Sequence, residues 1–170
     1  MRRVLVIGCP GGGKSTFARA LQAQTGLPVI HLDRLYWNGD RTTVPKEVFR
    51  ARLAEAMAGE SWIIDGNYTS TLEMRLAACD TVFFLDYPAE VCLAGVEARR
   101  GKPRPDMPWV ETGRDEEFLS FIRDFEEKTK PRLLSALARH PEVSLTVFRS
   151  REDATAYLAA RGESSAATPS

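Results

Sequence analysis

The chain has 170 residues, 44% of them hydrophobic and 27% charged, which suits one soluble domain with a full core. Lysines and arginines number 23, as do aspartates and glutamates, so no net charge advertises a nucleic-acid or membrane surface. Cys9, Cys79 and Cys92 are odd in number and widely spaced, and only His31 and His140 could join them, which excludes a disulfide framework and a zinc site.

Arg2 and Arg3 precede only four apolar residues, too few for a signal peptide, and no apolar run approaches the roughly 18 residues of a membrane span. A cytoplasmic protein with reduced thiols is expected. "RVLVIG" (3–8) reads as a buried strand and "KSTFARALQAQTG" (14–26) as a helix stopped by Gly26. "LPVIHLD" (27–33) reads as a second strand, and "PKEVFRARLAEAMAG" (45–59) as a helix opened by Pro45. "SWIIDG" (61–66) and "DTVFFLDYP" (80–88) are the third and fourth strands, with a short helix around "TLEMRLAAC" (71–79) between them. "AEVCLAGVEARRG" (89–101) is helical, and the Pro- and Arg-rich stretch 102–113 breaks the pattern. A long helix from Asp115 to about His140 is expected to kink or break at Pro131. "VSLTVF" (143–148) is the fifth strand and "REDATAYLAARG" (151–162) the last helix; the tail 163–170 has no apolar pattern and is expected to be disordered. Apolar strands alternating with helices predict an α/β domain over residues 1–162, its parallel sheet covered on both faces.

The first strand runs into "GCPGGGKST", which fits G-x-x-x-x-G-K-[ST] at Gly8, Gly13, Lys14 and Ser15. A merely tight turn needs one glycine, and this loop has Gly8, Gly11, Gly12 and Gly13. From Gly8 through Pro10 to Thr16 it reads as a phosphate cradle whose N–H groups and helix end attract anions. Lys14 is expected on the β- and γ-phosphates and the Ser15 hydroxyl on Mg²⁺. No N-K-x-D or D-x-x-G occurs, so guanine readout is excluded and ATP is the expected nucleotide.

Asp33, Asp65 and Asp86 each close a predicted strand, where open α/β sheets bind ligands. Asp65 is the candidate outer carboxylate for Mg²⁺ if the third strand lies beside the first, and Asp33 is the candidate that receives or orients an acceptor hydroxyl. Each could instead cap a helix, the reading favoured for Asp86, and His31 reads as structural. Tyr36, Trp37 and Tyr68 follow Asp33 and Asp65 closely and either stack on an acceptor or pack the core. Cys9, beside a helix N-terminus, is expected to have a lowered thiol pKa. The basic run "RRGKPRPDM" (99–107) reads as a phosphate-clamping lid, a nucleic-acid patch or a solvated loop, and the phosphate loop favours the lid.

Together "GCPGGGKST", "HLDRLYW", "IIDGNY", "VFFLDYP", "RRGKPRPDM" and "EEFLSFIRDF" resemble the FlaR-type family of DNA topology-modulation proteins, an adenylate-kinase-like branch of P-loop kinases, over about residues 3 to 160. The resemblance implies a nucleoside-monophosphate-kinase-like three-layer sandwich with strand order 2-3-1-4-5 and a short lid at about 100–114. It implies Arg99 and Arg104 as lid arginines, Arg75 on an acceptor phosphate, and the loop 148–153, with Arg149, against the adenine. Two departures stand out: adenylate kinases carry "DGFPR" where this chain has "DGNY", and the family has an arginine where this chain has Gly95. The expected activity is phosphoryl transfer from ATP, with Mg²⁺, to a nucleotide, nucleoside or similar small acceptor, with no membrane partner. The alternative is an ATP-binding regulator acting on DNA or a protein partner.

Overall fold

A computed structural model of the protein describes residues 1–166. Five strands, β1 (Arg3–Gly8), β2 (Val29–His31), β3 (Trp62–Asp65), β4 (Thr81–Leu85) and β5 (Ser144–Phe148), form one parallel sheet in the order β2-β3-β1-β4-β5. This is the expected order, and it sets Asp65 one strand away from the phosphate loop. Every residue of β3 and β4 is buried, as is β1 from Val4 onward, because helices cover both faces of the sheet.

The covering helices are α1 (Lys14–Thr25), α2 (Leu32–Tyr36), α3 (Lys46–Met57), α4 (Thr69–Ala78), α5 (Ala89–Arg99), α6 (Glu116–Asp124), α7 (Lys130–Ala138) and α8 (Arg151–Ala166). Phe17, Ala18 and Leu21 form the buried stripe of α1, and Gly26 stops that helix in a left-handed conformation while its N–H bonds Gln22 O. Phe17 of α1, Phe83 of β4, Phe148 of β5 and Tyr157 of α8 interlock with ring centroids 5.1–6.4 Å apart. This cluster ties the helix that carries the phosphate loop to the half of the sheet beyond it.

Three expectations are corrected. The second strand ends at His31 rather than Asp33, because Leu32 turns into the core under Gly66 and begins α2. Asp33 is therefore a helical residue. The long helix breaks before Pro131, in a π turn at Phe125–Thr129 where the Lys130 N–H bonds Phe125 O. Proline has no N–H and its ring crowds the carbonyl four residues back, and the wider turn accommodates both. The last helix runs past Gly162 to Ala166, so it enters the predicted tail; residues 167–170 of that tail lie outside the described residues.

Phe83→Ala removes the ring that touches all three partners of the aromatic cluster and is expected to cost about 3–5 kcal/mol. Urea unfolding checks this: the midpoint should fall with the slope unchanged.

Candidate active site

The C-terminal edge of the sheet opens on a cleft of about 1370 Å³, larger than the ~300–1,000 Å³ that one small ligand occupies. It has room for two. All the expected site residues line it except Gly8, Gly12, Arg75 and Arg149.

The loop between β1 and α1 is shaped by close approach. Gly11 (φ 82°) and Gly13 (φ 89°) adopt backbone conformations that disfavour side chains, and a Cβ on Gly11 would strike the Cys92 carbonyl of α5. The first N–H groups of α1 have no carbonyl ahead of them and face this loop. Lys14 spans the loop, its Nζ 3.2 Å from Cys9 O, and burial lowers its pKa against the pull of Asp65 and Asp33. Ser15 Oγ is buried without a hydrogen-bond partner. A buried hydroxyl in that state calls for a ligand, and one hydroxyl at a phosphate cradle suits Mg²⁺, which takes few protein ligands and keeps its waters.

Beside the loop, His31 and Asp65 are in register on adjacent parallel strands, and His31 Nδ1 sits 2.7 Å from Asp65 Oδ2. The turn after β3 then does three things. Asn67 brackets Gly8, donating to its carbonyl at 2.5 Å and accepting its N–H at 3.0 Å. Tyr68, at φ 33° one of two non-glycine residues in left-handed conformation among those described (Arg41 is the other), donates its hydroxyl to Asp33 at 2.5 Å. Arg75, fully buried, donates to the carbonyls of Gly66 (3.1 Å), Asn67 and Tyr68 (3.1 Å) and to Thr71 Oγ1 (3.2 Å). Burial pulls its pKa down to about 9. Asp33 is held above the usual carboxylate range by burial, partly offset by the Tyr68 hydrogen bond and by Lys14.

The wall opposite is the segment 100–114. Arg99 and Arg104 enter the cleft, where both guanidinium groups lie 3.6 Å from Glu111 and Arg104 lies 3.5 Å from Asp106. Arg34 donates to Pro105 O and Met107 O, and Arg41 donates to Val110 O and stacks on Trp109. Tyr36 contacts Trp37, Phe49 and Tyr68, and Trp37 meets Trp109 at 5.7 Å. The aromatic residues thus both pack together and face the cleft.

Four side-chain expectations are corrected here. Arg75 cannot hold an acceptor phosphate, because its guanidinium is buried and given to backbone carbonyls. Arg149 turns away and pairs with Asp86, while Arg151 takes the place by the loop, donating to Gly11 O (2.9 Å) and Gly12 O (3.3 Å) above the Tyr87 ring. Asp86 caps no helix; Lys130 binds it at 2.9 Å, and Asp33 and Asp65 cap none either. Cys9 is only 2% exposed, and its hydrogen bond with Cys92 together with burial raises its pKa rather than lowering it. Asn67, Trp109 and Arg151 were not singled out from the sequence. "DGNY" carried a signal for Asn67, since a short amide after a strand-end aspartate is placed to bracket the neighbouring strand; nothing local marks Trp109 or Arg151.

A glycine loop from the central strand to a helix, on a parallel sheet of order 2-3-1-4-5, defines the nucleoside-monophosphate-kinase-like P-loop fold. Solved structures agree. The chain is similar to a shikimate kinase from Bacteroides thetaiotaomicron, with 18% identity, 95% of this chain and 97% of that one covered, and a TM-score of 0.59. It is also similar to a shikimate kinase from Acinetobacter baumannii in complex with shikimate (19% identity, 94% and 90% covered, TM-score 0.64) and to a sugar kinase from a Janibacter species (21%, 96% and 91%, 0.50). At these identities the likeness is one of fold. No protein-family model and no curated protein matches the chain.

Gly95, in α5, gives the sharpest local test. Alanine in a helix ordinarily stabilises by about 0.5–1 kcal/mol over glycine. At Gly95 the new Cβ would run into the Gly11 carbonyl and reach 2.9 Å from Arg151 Nη2. Backbone cannot yield as a flexible side chain does, so Gly95→Ala is expected to destabilise, by about 1–3 kcal/mol. Thermal unfolding checks the sign, which the helix-propensity effect alone would reverse.

Proposed function

We propose that the protein is an ATP- and Mg²⁺-dependent kinase that transfers a phosphoryl group to a hydroxyl of a small acceptor, a nucleotide, nucleoside or similar molecule, on the adenylate-kinase-like plan its FlaR-type motifs resemble. The observation that carries the reading is the meeting, in one cleft, of the Lys14 ammonium, the partnerless Ser15 hydroxyl and the Asp33 carboxylate.

Phosphoryl transfer asks the protein for positioning and charge neutralisation. The phosphate loop and Lys14 hold the triphosphate. Ser15 and, behind it, Asp65 would hold Mg²⁺, which when bound would neutralise charge on the phosphate oxygens. Asp65 is steadied in that place by His31. Asp33 accepts the proton of the attacking hydroxyl as the new O–P bond forms and the bond to the departing diphosphate breaks. Arg99 and Arg104 balance charge on the phosphoryl group in transit, and the aromatic wall excludes water from it. The volume of the cleft and the kinase names of the structural neighbours support the same reading.

As a DNA binder, the regulatory alternative needs an exposed basic patch, and residues 99–104 do not supply one. Arg99 and Arg104 face carboxylates inside the cleft and Arg100 pairs with Glu97, which leaves Lys102.

Lys14→Ala is expected to lower ATP-dependent turnover by ~10³-fold or more, and Ser15→Ala to raise the Mg²⁺ concentration needed for half-maximal rate, both read from ADP release. Unchanged turnover in Lys14→Ala would end the assignment. The base must be ionised, so the rate should climb with pH through the elevated pKa of Asp33. Tyr68→Phe removes a donor that favours the carboxylate, and the acid limb of kcat/KM should move up by about one pH unit, the worth of one hydrogen bond to a charged group.

A further inference from the structure

The acceptor end of the cleft is walled by Tyr36, Trp37, Tyr68 and Trp109 and carries two carboxylates, the half-buried Asp33 and the buried Asp106. Its inward-facing arginines are already engaged. Arg75, the residue expected to meet an acceptor phosphate, is sealed under the turn after β3. Arg34 and Arg41 are bound to carbonyls of the 105–110 segment. Arg99 and Arg104 share Glu111 and Asp106 between them. Arg100 pairs with Glu97 and Arg151 with carbonyls of the loop, while Arg19, Lys102, Arg114 and Arg132 are exposed at the rim of the cleft. Two buried nitrogen donors on the cleft have no hydrogen-bond partner: Arg99 Nε, on a side chain assigned above to the phosphoryl group in transit, and the Trp109 indole N–H, which is the one at the acceptor end.

Carboxylates accept hydroxyl protons and repel anions, and aromatic faces take flat or ring-shaped molecules. A lone indole N–H matches a neutral ring or hydroxyl oxygen. We propose that the acceptor is an uncharged, hydroxyl-bearing ring, bound against Trp37 and Trp109 with hydroxyls on Asp33 and Asp106, and that molecules presenting a phosphate or carboxylate at this end are discriminated against. The proposal rests on the kinase reading and narrows it: within the nucleotide and nucleoside range, the nucleoside is favoured over its monophosphate. Nucleosides and cyclic polyols share this chemistry, and the panel below separates them.

The protein reports on this pocket by itself, since Trp37 and Trp109 line the cleft while Trp62 is sealed in the core. Full-length protein, saturated with Mg²⁺ and a non-hydrolysable ATP analogue, is titrated with matched pairs while tryptophan emission is followed. The pairs are each common nucleoside against its 5′-monophosphate, and cyclitols or pyranoses against their phosphates and carboxylates. A neutral member that saturates and binds at least ~10-fold tighter than its charged counterpart is the expected result. Asp106→Asn should weaken that neutral binding by ~10-fold and narrow the gap to the charged member. Trp109→Phe, which keeps a ring and deletes the N–H, should weaken it by a similar factor. The proposal is overturned if the charged member binds as tightly or tighter, or if no neutral member saturates.

ADP release with ATP in the same samples separates the two readings. Neutral binding without ADP release leaves the pocket assignment standing and removes the kinase. Turnover driven by phosphorylated or carboxylated acceptors, and lost in Lys14→Ala, keeps the kinase and removes the pocket assignment.

Discussion

The working edge of this molecule depends on how the turn after β3 is held. Gly66, Asn67 and Tyr68 leave the sheet beside the phosphate loop, and Arg75 gathers all three of their carbonyls from below. A guanidinium buried without a carboxylate partner is costly, and its lowered pKa expresses that cost. The cost is offset because its N–H groups meet the carbonyls of Gly66, Asn67 and Tyr68 and the hydroxyl of Thr71. What the arrangement fixes is a bulky tyrosine in a conformation that such residues rarely adopt, with its hydroxyl on Asp33. The same turn fixes Gly8 through Asn67. One buried cation therefore sets the geometry of a turn that reaches both Gly8 and Asp33.

Charge in the cleft is divided along its length. Lys14 and the N-terminus of α1 face the phosphate side, with Arg151 neutralising carbonyls of the loop from behind. Arg99 and Arg104 sit between, each already close to a carboxylate. Farther along, carboxylates and aromatic faces take over. The two ends of the cleft therefore differ in the sign of the charge they present.

Much of this was legible in the sequence. Strand runs bounded by glycine and proline located every strand, because a sheet buried on both faces needs continuous apolar segments. The glycine loop located Lys14 and Ser15 because its spacing is tied to one backbone shape. Asp33 and Asp65 were found from their place after apolar runs, although Asp33 proved helical: a strand's end depends on where Leu32 finds a cavity, and Gly66 makes that cavity from another part of the chain. Arg75, Arg149 and Arg151 were beyond local reading. Two arginines two residues apart near the end of β5 look alike in sequence, and which one reaches the loop depends on Asp86 and Tyr87, just after β4, and on Gly95 of α5. A buried arginine that serves carbonyls leaves no pattern, because its partners are backbone.

The bonds from Arg34 and Arg41 to the 105–110 segment, and the meeting of Trp37 with Trp109, join the arm that follows β2 to the roof of the cleft. Two segments some seventy residues apart in sequence are thereby fastened to each other, so neither can be drawn back from the cleft without breaking bonds that hold the other.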